Sequence, residues 1–236
     1  LRRCRVIRTG RGSSVRGRDR PAGVQPAPAE SQAGGRSQAE YFMRDLLPVI
    51  LASASPRRRA LLEALGMTIR VMPSDATEHD EGGVPAAIVE ANARAKRDAV
   101  LSRITEPALV IAADTLVFLE ERPLSKPVDL DDARAMLRRL SGNTHQVVTG
   151  LAVIDTATGA SAVGSESTDV TFRSLADAEI DCFVKAVRPL DRAGAYTVDG
   201  PGSLLVARYD GCYYNVLGLP LVRLDRMLRG IGHSLF

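Results

Sequence analysis

The stretch Pro48-Val-Ile-Leu-Ala-Ser-Ala-Ser-Pro-Arg-Arg-Arg-Ala-Leu-Leu-Glu-Ala-Leu-Gly66 sets two structural signals side by side. Val49–Ala52 is a short apolar run of the kind that fills a buried strand. Ser55-Pro56 then opens a helix, with a serine hydroxyl available as cap and a proline where its missing N–H costs nothing. Leu61, Leu62 and Leu65 recur at helical spacing and are expected to face inward, and Gly66 stops the helix. A buried strand running straight into a helix is the unit from which α/β proteins are built.

The alternation continues along the chain. Ala86–Leu101 predicts a helix with Ile88, Ala91, Ala95 and Ala99 inward, and Leu109–Leu119 predicts a strand. Asp131–Leu140 has helical spacing, with Asp129 as cap and Gly142 as stop. Gln146–Ile154 and Ser161–Phe172 read as strands joined by a turn over Thr156–Gly159. A helix over Ala176–Val187, a strand over Ser203–Tyr209 and a last helix over Pro220–Arg229 complete the pattern. No internal repeat is visible. The expected fold class is α/β with a mixed, largely central sheet.

Charge is unevenly placed. Leu1–Glu40 holds nine arginines against Asp19, Glu30 and Glu40, an excess of six positive charges. The whole chain carries +3, so the part from Met43 onward carries −3, and the pI near 8.9 describes the first forty residues. A nucleic-acid-binding role is therefore not expected of the folded domain. Residues 1–42 are rich in Arg, Gly, Ser, Pro and Ala without a period, so a disordered basic tail is expected there, followed by a domain over 43–236. Met43, immediately before the first strand pattern, is the expected start of the protein; an organelle transit peptide and a phosphate-binding tail are the alternatives.

No apolar run approaches the roughly 18 to 20 residues that span a bilayer, and no apolar secretion segment follows the basic start, so a cytoplasmic protein is expected, with no membrane partner. Cys4, Cys182 and Cys212 are too scattered for a disulfide framework or a zinc site and read as reduced thiols. His79, His145 and His233 are isolated and read as surface or packing residues.

Chemistry concentrates at two places. Ser53-Ala-Ser-Pro-Arg-Arg-Arg59 lies where a buried strand meets a helix N-terminus, a natural anion site to which Arg57 and Arg58 add charged forks. The alternative is a capping serine followed by solvated arginines. Arginine in a first helical turn opposes the helix dipole unless an anion is present, which favours phosphate. The second place is Asp114, a carboxylate inside the apolar Leu109–Leu119 strand, which must be paired, hydrogen-bonded or metal-bound to be tolerated; a capping role in a bend is the alternative. The acidic run Asp75-Ala-Thr-Glu78-His-Asp-Glu81 reads on composition as a solvated loop, although its oxygens suit a hard cation. Lys96 reads as a surface lysine, and Lys126-Pro127 offers a further ammonium for phosphate. No G-x-x-x-x-G-K-[ST] loop is present, which excludes a P-loop ATPase.

Taken in order, Leu51-Ala-Ser-Ala-Ser-Pro-Arg-Arg58, the Ala95-Lys96 helix, Ala113-Asp-Thr115, Lys126-Pro127, Leu140-Ser-Gly-Asn-Thr-His-Gln-Val147, Asp191-Arg-Ala-Gly-Ala-Tyr196 and Tyr214-Asn-Val-Leu-Gly-Leu-Pro220 resemble the Maf-like nucleotide pyrophosphatases. The resemblance spans about Val49 to Leu224. It implies the Maf-like, inosine-triphosphatase-like fold, with a mixed central sheet in two lobes, an active-site cleft between them, and a homodimer as the common assembly. It implies hydrolysis of a nucleoside triphosphate to the monophosphate and pyrophosphate. By position, Asp114 would be the proton acceptor that activates water, and Glu78 and Asp114 would hold a divalent cation, Mg²⁺ or Mn²⁺. Ser53, Arg57, Arg58, Lys96 and Lys126 would bind the phosphates.

Ala113-Asp-Thr115 resembles the branch acting on dTTP and UTP, with modified pyrimidine nucleotides as further candidates. A Ser-Asp-Gln there would resemble the branch acting on 7-methyl-GTP. In the former branch Arg57, Thr115 and a glutamine match the positions that set base preference. Asp199 stands here at the glutamine position, and an ionised Asp accepts hydrogen bonds but cannot donate them. Ser125, where many members have Gly, and Arg97, where Ala is usual, are milder departures. A 7-methyl-GTP or other modified-nucleotide pyrophosphatase, and a non-catalytic cell-division regulator acting through the basic tail, are the alternative readings.

Overall fold

The apolar run that opens the quoted stretch forms β1 (Val49–Leu51), whose residues are all buried. The structure is a computed structural model that describes residues 47–80 and 83–235; the expectations for residues 1–42 and for Glu81 lie outside the described residues. β1 pairs in parallel with β2 (Ile69–Val71) on one side and β3 (Leu109–Leu119) on the other. β3 pairs antiparallel with β5 (Thr144–Asp155), β5 with β6 (Ser161–Phe172), and β6 with β7 (Val206–Asp210). The seven-stranded mixed sheet has the order β2-β1-β3-β5-β6-β7, with the short β4 (Arg122–Leu124) folding back on β3.

One irregularity of this sheet positions the site. On the edge of β3 away from β5, β1 pairs only with residues 109–111, and β4 only with residues 117–119. Residues 112–116 lack a strand neighbour on that side. The chain leaves β1 there through Ala52, whose N–H still donates to the Ile111 carbonyl at 2.8 Å, before entering α1 (Pro56–Ala64).

Side chains alternate across β3, as strand geometry requires. Val110 and Ala112 pack with Ala93 and Val100 of α2 (Pro85–Leu101), and Leu116 and Phe118 with its Ile88 and Val89. On the opposite face, Leu109, Ile111 and Ala113 pack with Leu62 of α1 and with Leu224, Met227 and Leu228 of α6 (Leu221–Gly230). Val117 joins a separate core with Leu137 and Leu140 of α3 (Leu130–Leu140) and Phe183 and Val184 of α4 (Asp177–Val187). Full burial of each such Leu or Phe contributes about 1.5–3 kcal/mol. The second face therefore carries two apolar cores, and the polar residues Thr115 and Thr149 lie paired across β3 and β5 between them.

Local signals behave as expected at several ends. Ser55 caps α1 with Pro56 at its start, Asp129 accepts from the N–H groups of Asp131 and Asp132 at the start of α3, and Gly66 adopts a positive φ of 83°. Two expectations are corrected. The buried face of α2 is formed by Ile88, Val89, Asn92, Ala93, Lys96, Arg97 and Val100, whereas Ala91 and Ala95 are exposed. Hydropathy pointed to the alanines because the partners that compensate the buried polar groups come from elsewhere in the chain. The strand over 203–209 is instead a 3₁₀ turn (Gly200–Leu205) followed by β7, since Pro201 and two glycines favour a turn over a ladder. The three-residue β2 and β4 and the short α5 (Tyr213–Val216) carry too little periodicity to be read.

His145 is a packing residue, 2% exposed, with its ring edge-on to Phe172 and Tyr196. Cys182 and Cys212 are free thiols. Among the described residues, no helix is long and apolar enough to cross a membrane.

Candidate active site

Asp114 lies on the face of β3 that α2 covers, and it is 3% exposed. Two α2 side chains four residues apart, and so on one face of the helix, compensate it. Lys96 Nζ lies 2.6 Å from Asp114 Oδ1, and Asn92 Nδ2 donates to Asp114 Oδ2 at 2.8 Å. Lys96 also meets Glu78 Oε1 at 2.7 Å, so one ammonium joins the two carboxylates that the sequence singled out. Asn92 additionally donates to the His79 carbonyl at 2.6 Å and accepts from the His79 N–H at 2.9 Å, which pins the loop carrying Glu78 beside Asp114. The same loop is tied at Asp80, which accepts from Ser125 Oγ next to Lys126. Lys96 is thus buried where a surface lysine was expected, and Asn92 is a site residue that composition gave no reason to single out. The signal that could have found it is the Asn-x-x-x-Lys spacing on a helix otherwise rich in alanine.

Thr115, the next residue, points to the other face, where Arg58 from α1 meets it. Arg58 Nη2 donates to Thr115 Oγ1 at 2.9 Å, Nη1 to Ser53 Oγ at 3.0 Å and Nε to the Gly218 carbonyl at 2.8 Å. Burial lowers the pKa of this guanidinium, an effect the carboxylates of Asp114 and Glu78 oppose. Of the five N–H bonds of an arginine, three are thereby engaged within the protein. Arg58 is therefore first a strut that fixes Ser53 and Thr115, and its remaining two N–H bonds are what it can offer a ligand. Gly218, at φ 99°, makes the approach possible: a Cβ there would lie 3.3 Å from Thr115 Oγ1.

Because neighbouring strand residues point to opposite faces, Asp114 and Thr115 can serve one cavity only where the sheet edge is open. The gap between β1 and β4 supplies that opening, and a cleft of about 450 Å³ wraps it. Its walls include Ser53, Arg57, Arg58, Glu78, Lys96, Asp114, Thr115 and Lys126. Eight of the nine expected site residues are thus brought together. Asp199 is the exception: it is exposed, accepts from Thr197 Oγ1 and lies beside the wall formed by Tyr196, Thr197 and Val198 without joining it. The Thr197 hydroxyl lowers its pKa, with smaller help from Arg57 and Arg192.

Among the described residues, no three His, Cys, Asp or Glu side chains are gathered into an all-protein metal cage. Glu78 and Asp114 nevertheless present two hard oxygen donors converging on one cationic group, in a cleft lined by Arg57, Arg58 and Lys126. That donor set fits a Mg²⁺-type cation, which takes one or two carboxylates from the protein and completes its shell with water and substrate phosphates.

The open edge of the α/β sheet thus gathers Arg57, Arg58 and Lys126 into one cleft with a fixed carboxylate. The sequence model of the Maf-like protein family matches residues 48–231, and the chain belongs to that family. It is 46% identical over 79% of its length to 97% of a dTTP/UTP pyrophosphatase of Pelotomaculum thermopropionicum. It is 48% identical over 78% of its length to 95% of a dTTP/UTP pyrophosphatase of Moorella thermoacetica. Among solved structures, a HAM1 protein from Coxiella burnetii overlaps 54% of this chain and 73% of its own, at 17% identity and a TM-score of 0.39.

Proposed function

We propose that this protein is a nucleoside triphosphate pyrophosphatase that converts dTTP and UTP, and modified pyrimidine triphosphates of the same shape, to the monophosphate and pyrophosphate. The observation that carries the proposal is the Asp114 carboxylate held between Lys96 and Asn92 in a cleft that Arg57, Arg58 and Lys126 also line. The names of the relatives support the pyrimidine preference. Each Asp114 oxygen has one protein donor and keeps a lone pair for the proton of an attacking water. Arg57 and Lys126 line the cleft with no hydrogen-bond partner among the described residues, so both can follow the charge that grows on pyrophosphate as it leaves. Ser53 and the N-terminus of α1 add dipoles to the same end of the cleft. Glu78 and Asp114 would hold Mg²⁺ or Mn²⁺, which when bound neutralises the polyphosphate and favours attack at phosphorus.

The test is pyrophosphate release by the purified protein with Mg²⁺ or Mn²⁺, measured across dTTP, UTP, CTP, GTP and 7-methyl-GTP. Release from dTTP and UTP well above the others is the expected result. Preferential release from 7-methyl-GTP would move the protein to another substrate, and no release from any would remove the activity.

A further inference from the structure

Behind Thr115 runs a chain of hydrogen bonds with fixed ends. Arg58 Nη2, which can only donate, reaches Thr115 Oγ1 at 2.9 Å. Thr115 Oγ1 lies 2.9 Å from Thr149 Oγ1, and Thr149 Oγ1 lies 3.0 Å from the Asn215 carbonyl, which can only accept. Thr149 and Asn215 are fully buried. Asn215 is itself fixed, since its Nδ2 donates to the Val147 carbonyl at 2.8 Å and to Thr168 Oγ1 at 3.0 Å.

The direction of the protons follows. Thr149 has one hydroxyl proton. If it were given to Thr115, the lone pairs of Thr149 Oγ1 and the Asn215 carbonyl would face each other in a water-free interior, which is costly. Thr149 therefore donates to Asn215 and accepts from Thr115. Thr115 in turn uses its proton on Thr149 and one lone pair on Arg58. Its half-buried hydroxyl lines the cleft with a single lone pair left and no proton to offer.

We infer that Thr149 is a specificity-determining positioning residue: by taking the Thr115 proton it makes Thr115 an obligate acceptor toward the base, matched to the ring N3–H of uracil and thymine and opposed to the bare N3 of cytosine. The inference rests on the pyrimidine triphosphate activity proposed above and on the match of Thr115 to a base-selecting position of that branch. Thr149 itself touches no substrate and acts through Thr115.

The experiment compares kcat/KM for UTP, N3-methyl-UTP and CTP in the wild type, Thr149→Val and Thr149→Ser. In the wild type, methylation of N3 should lower kcat/KM at least tenfold, the scale of one hydrogen bond. Thr149→Val, which frees the Thr115 proton, should shrink the UTP-to-CTP ratio roughly tenfold, and Thr149→Ser should restore it. A folded Thr149→Val protein with an unchanged ratio, or with equal losses on both nucleotides, overturns the inference and leaves the proposed function standing. Wild-type turnover of N3-methyl-UTP equal to that of UTP overturns it without recourse to any variant. Absence of wild-type turnover of UTP would instead remove the proposed function, and this inference with it.

Discussion

Asp114 of β3 stands directly across from Gly150 of β5, and the space where a Gly150 side chain would be is filled by the backbone of α2. A Cβ on Gly150 would lie 2.2 Å from the Val89 carbonyl oxygen and 2.3 Å from its carbon. The helix is therefore seated on the sheet at the register position of the carboxylate. Asn92 and Lys96, about one and two turns beyond Val89, then fall within hydrogen-bonding distance of Asp114.

Gly150→Ala should lift α2 from the sheet. Overpacking of this kind costs about 1–3 kcal/mol, to be read from denaturant unfolding. Turnover should fall by more than stability alone explains, because Asn92 and Lys96 move away from Asp114. Unchanged kinetics in a folded Gly150→Ala protein would show that the seat of α2 does not set the site.

Lys96→Met leaves two carboxylates without their shared ammonium. Removing one partner of a buried pair costs about 3 kcal/mol or more, so thermal and denaturant unfolding should both register the loss. Adding Asp114→Asn should recover part of it, with a coupling of about 0.5–3 kcal/mol in a double-mutant cycle. Additive losses would mean that the two groups do not interact in solution.

Arg58→Lys keeps the charge but replaces a planar fork by a single ammonium that cannot reach Ser53, Thr115 and the Gly218 carbonyl together. Loss of charge-assisted hydrogen bonds worth about 1.5–3 kcal/mol each should lower kcat/KM for dTTP by roughly ten- to a hundredfold. Steady-state kinetics of the lysine variant checks this, and a value near the wild type would show that charge alone suffices.

The fold was legible where the sequence is locally consistent. The bounds of β3 and β6 follow from the sequence, β3 from its apolar run and β6 from the turn before it, and α1 and α3 follow to within one residue at one end because Ser55-Pro56 and Asp129 mark their starts. Asp114 was legible because a carboxylate in an apolar strand demands compensation. What compensates it was not, since Lys96 and Asn92 are ordinary residues until the close packing of α2 at Gly150 carries them inward. The same limit hid Thr149 and Asn215, whose roles lie in contacts across the sheet. Asp199 shows the converse: a position matched through family resemblance stands beside the cleft wall and outside it.

Burial lowers the pKa of His145 from 6.5 to about 4, while Nε2 stays bonded to Tyr196 at 2.7 Å and Nδ1 has no partner among the described residues. A depressed histidine pKa means that the unfolded chain binds the proton more readily. The contribution of neutral His145 is complete above about pH 6.5 and is lost as the pH falls toward 4, a change of roughly 2–3 kcal/mol at about 1.4 kcal/mol per pKa unit. Denaturant unfolding at pH 7 and pH 4.5 should show the wild type losing that much more stability than His145→Gln. Equal losses would mean that this ring titrates normally in the folded protein.

In the function proposed above Asp114 activates water for release of pyrophosphate, and its near-isosteric amide removes that proton acceptor without emptying the site. Pyrophosphate release from dTTP and UTP with Mg²⁺ should fall by at least a thousandfold in Asp114→Asn, while the circular dichroism spectrum and the cooperative unfolding transition persist. Wild-type rates in a folded Asp114→Asn protein would show that this carboxylate is not the proton acceptor.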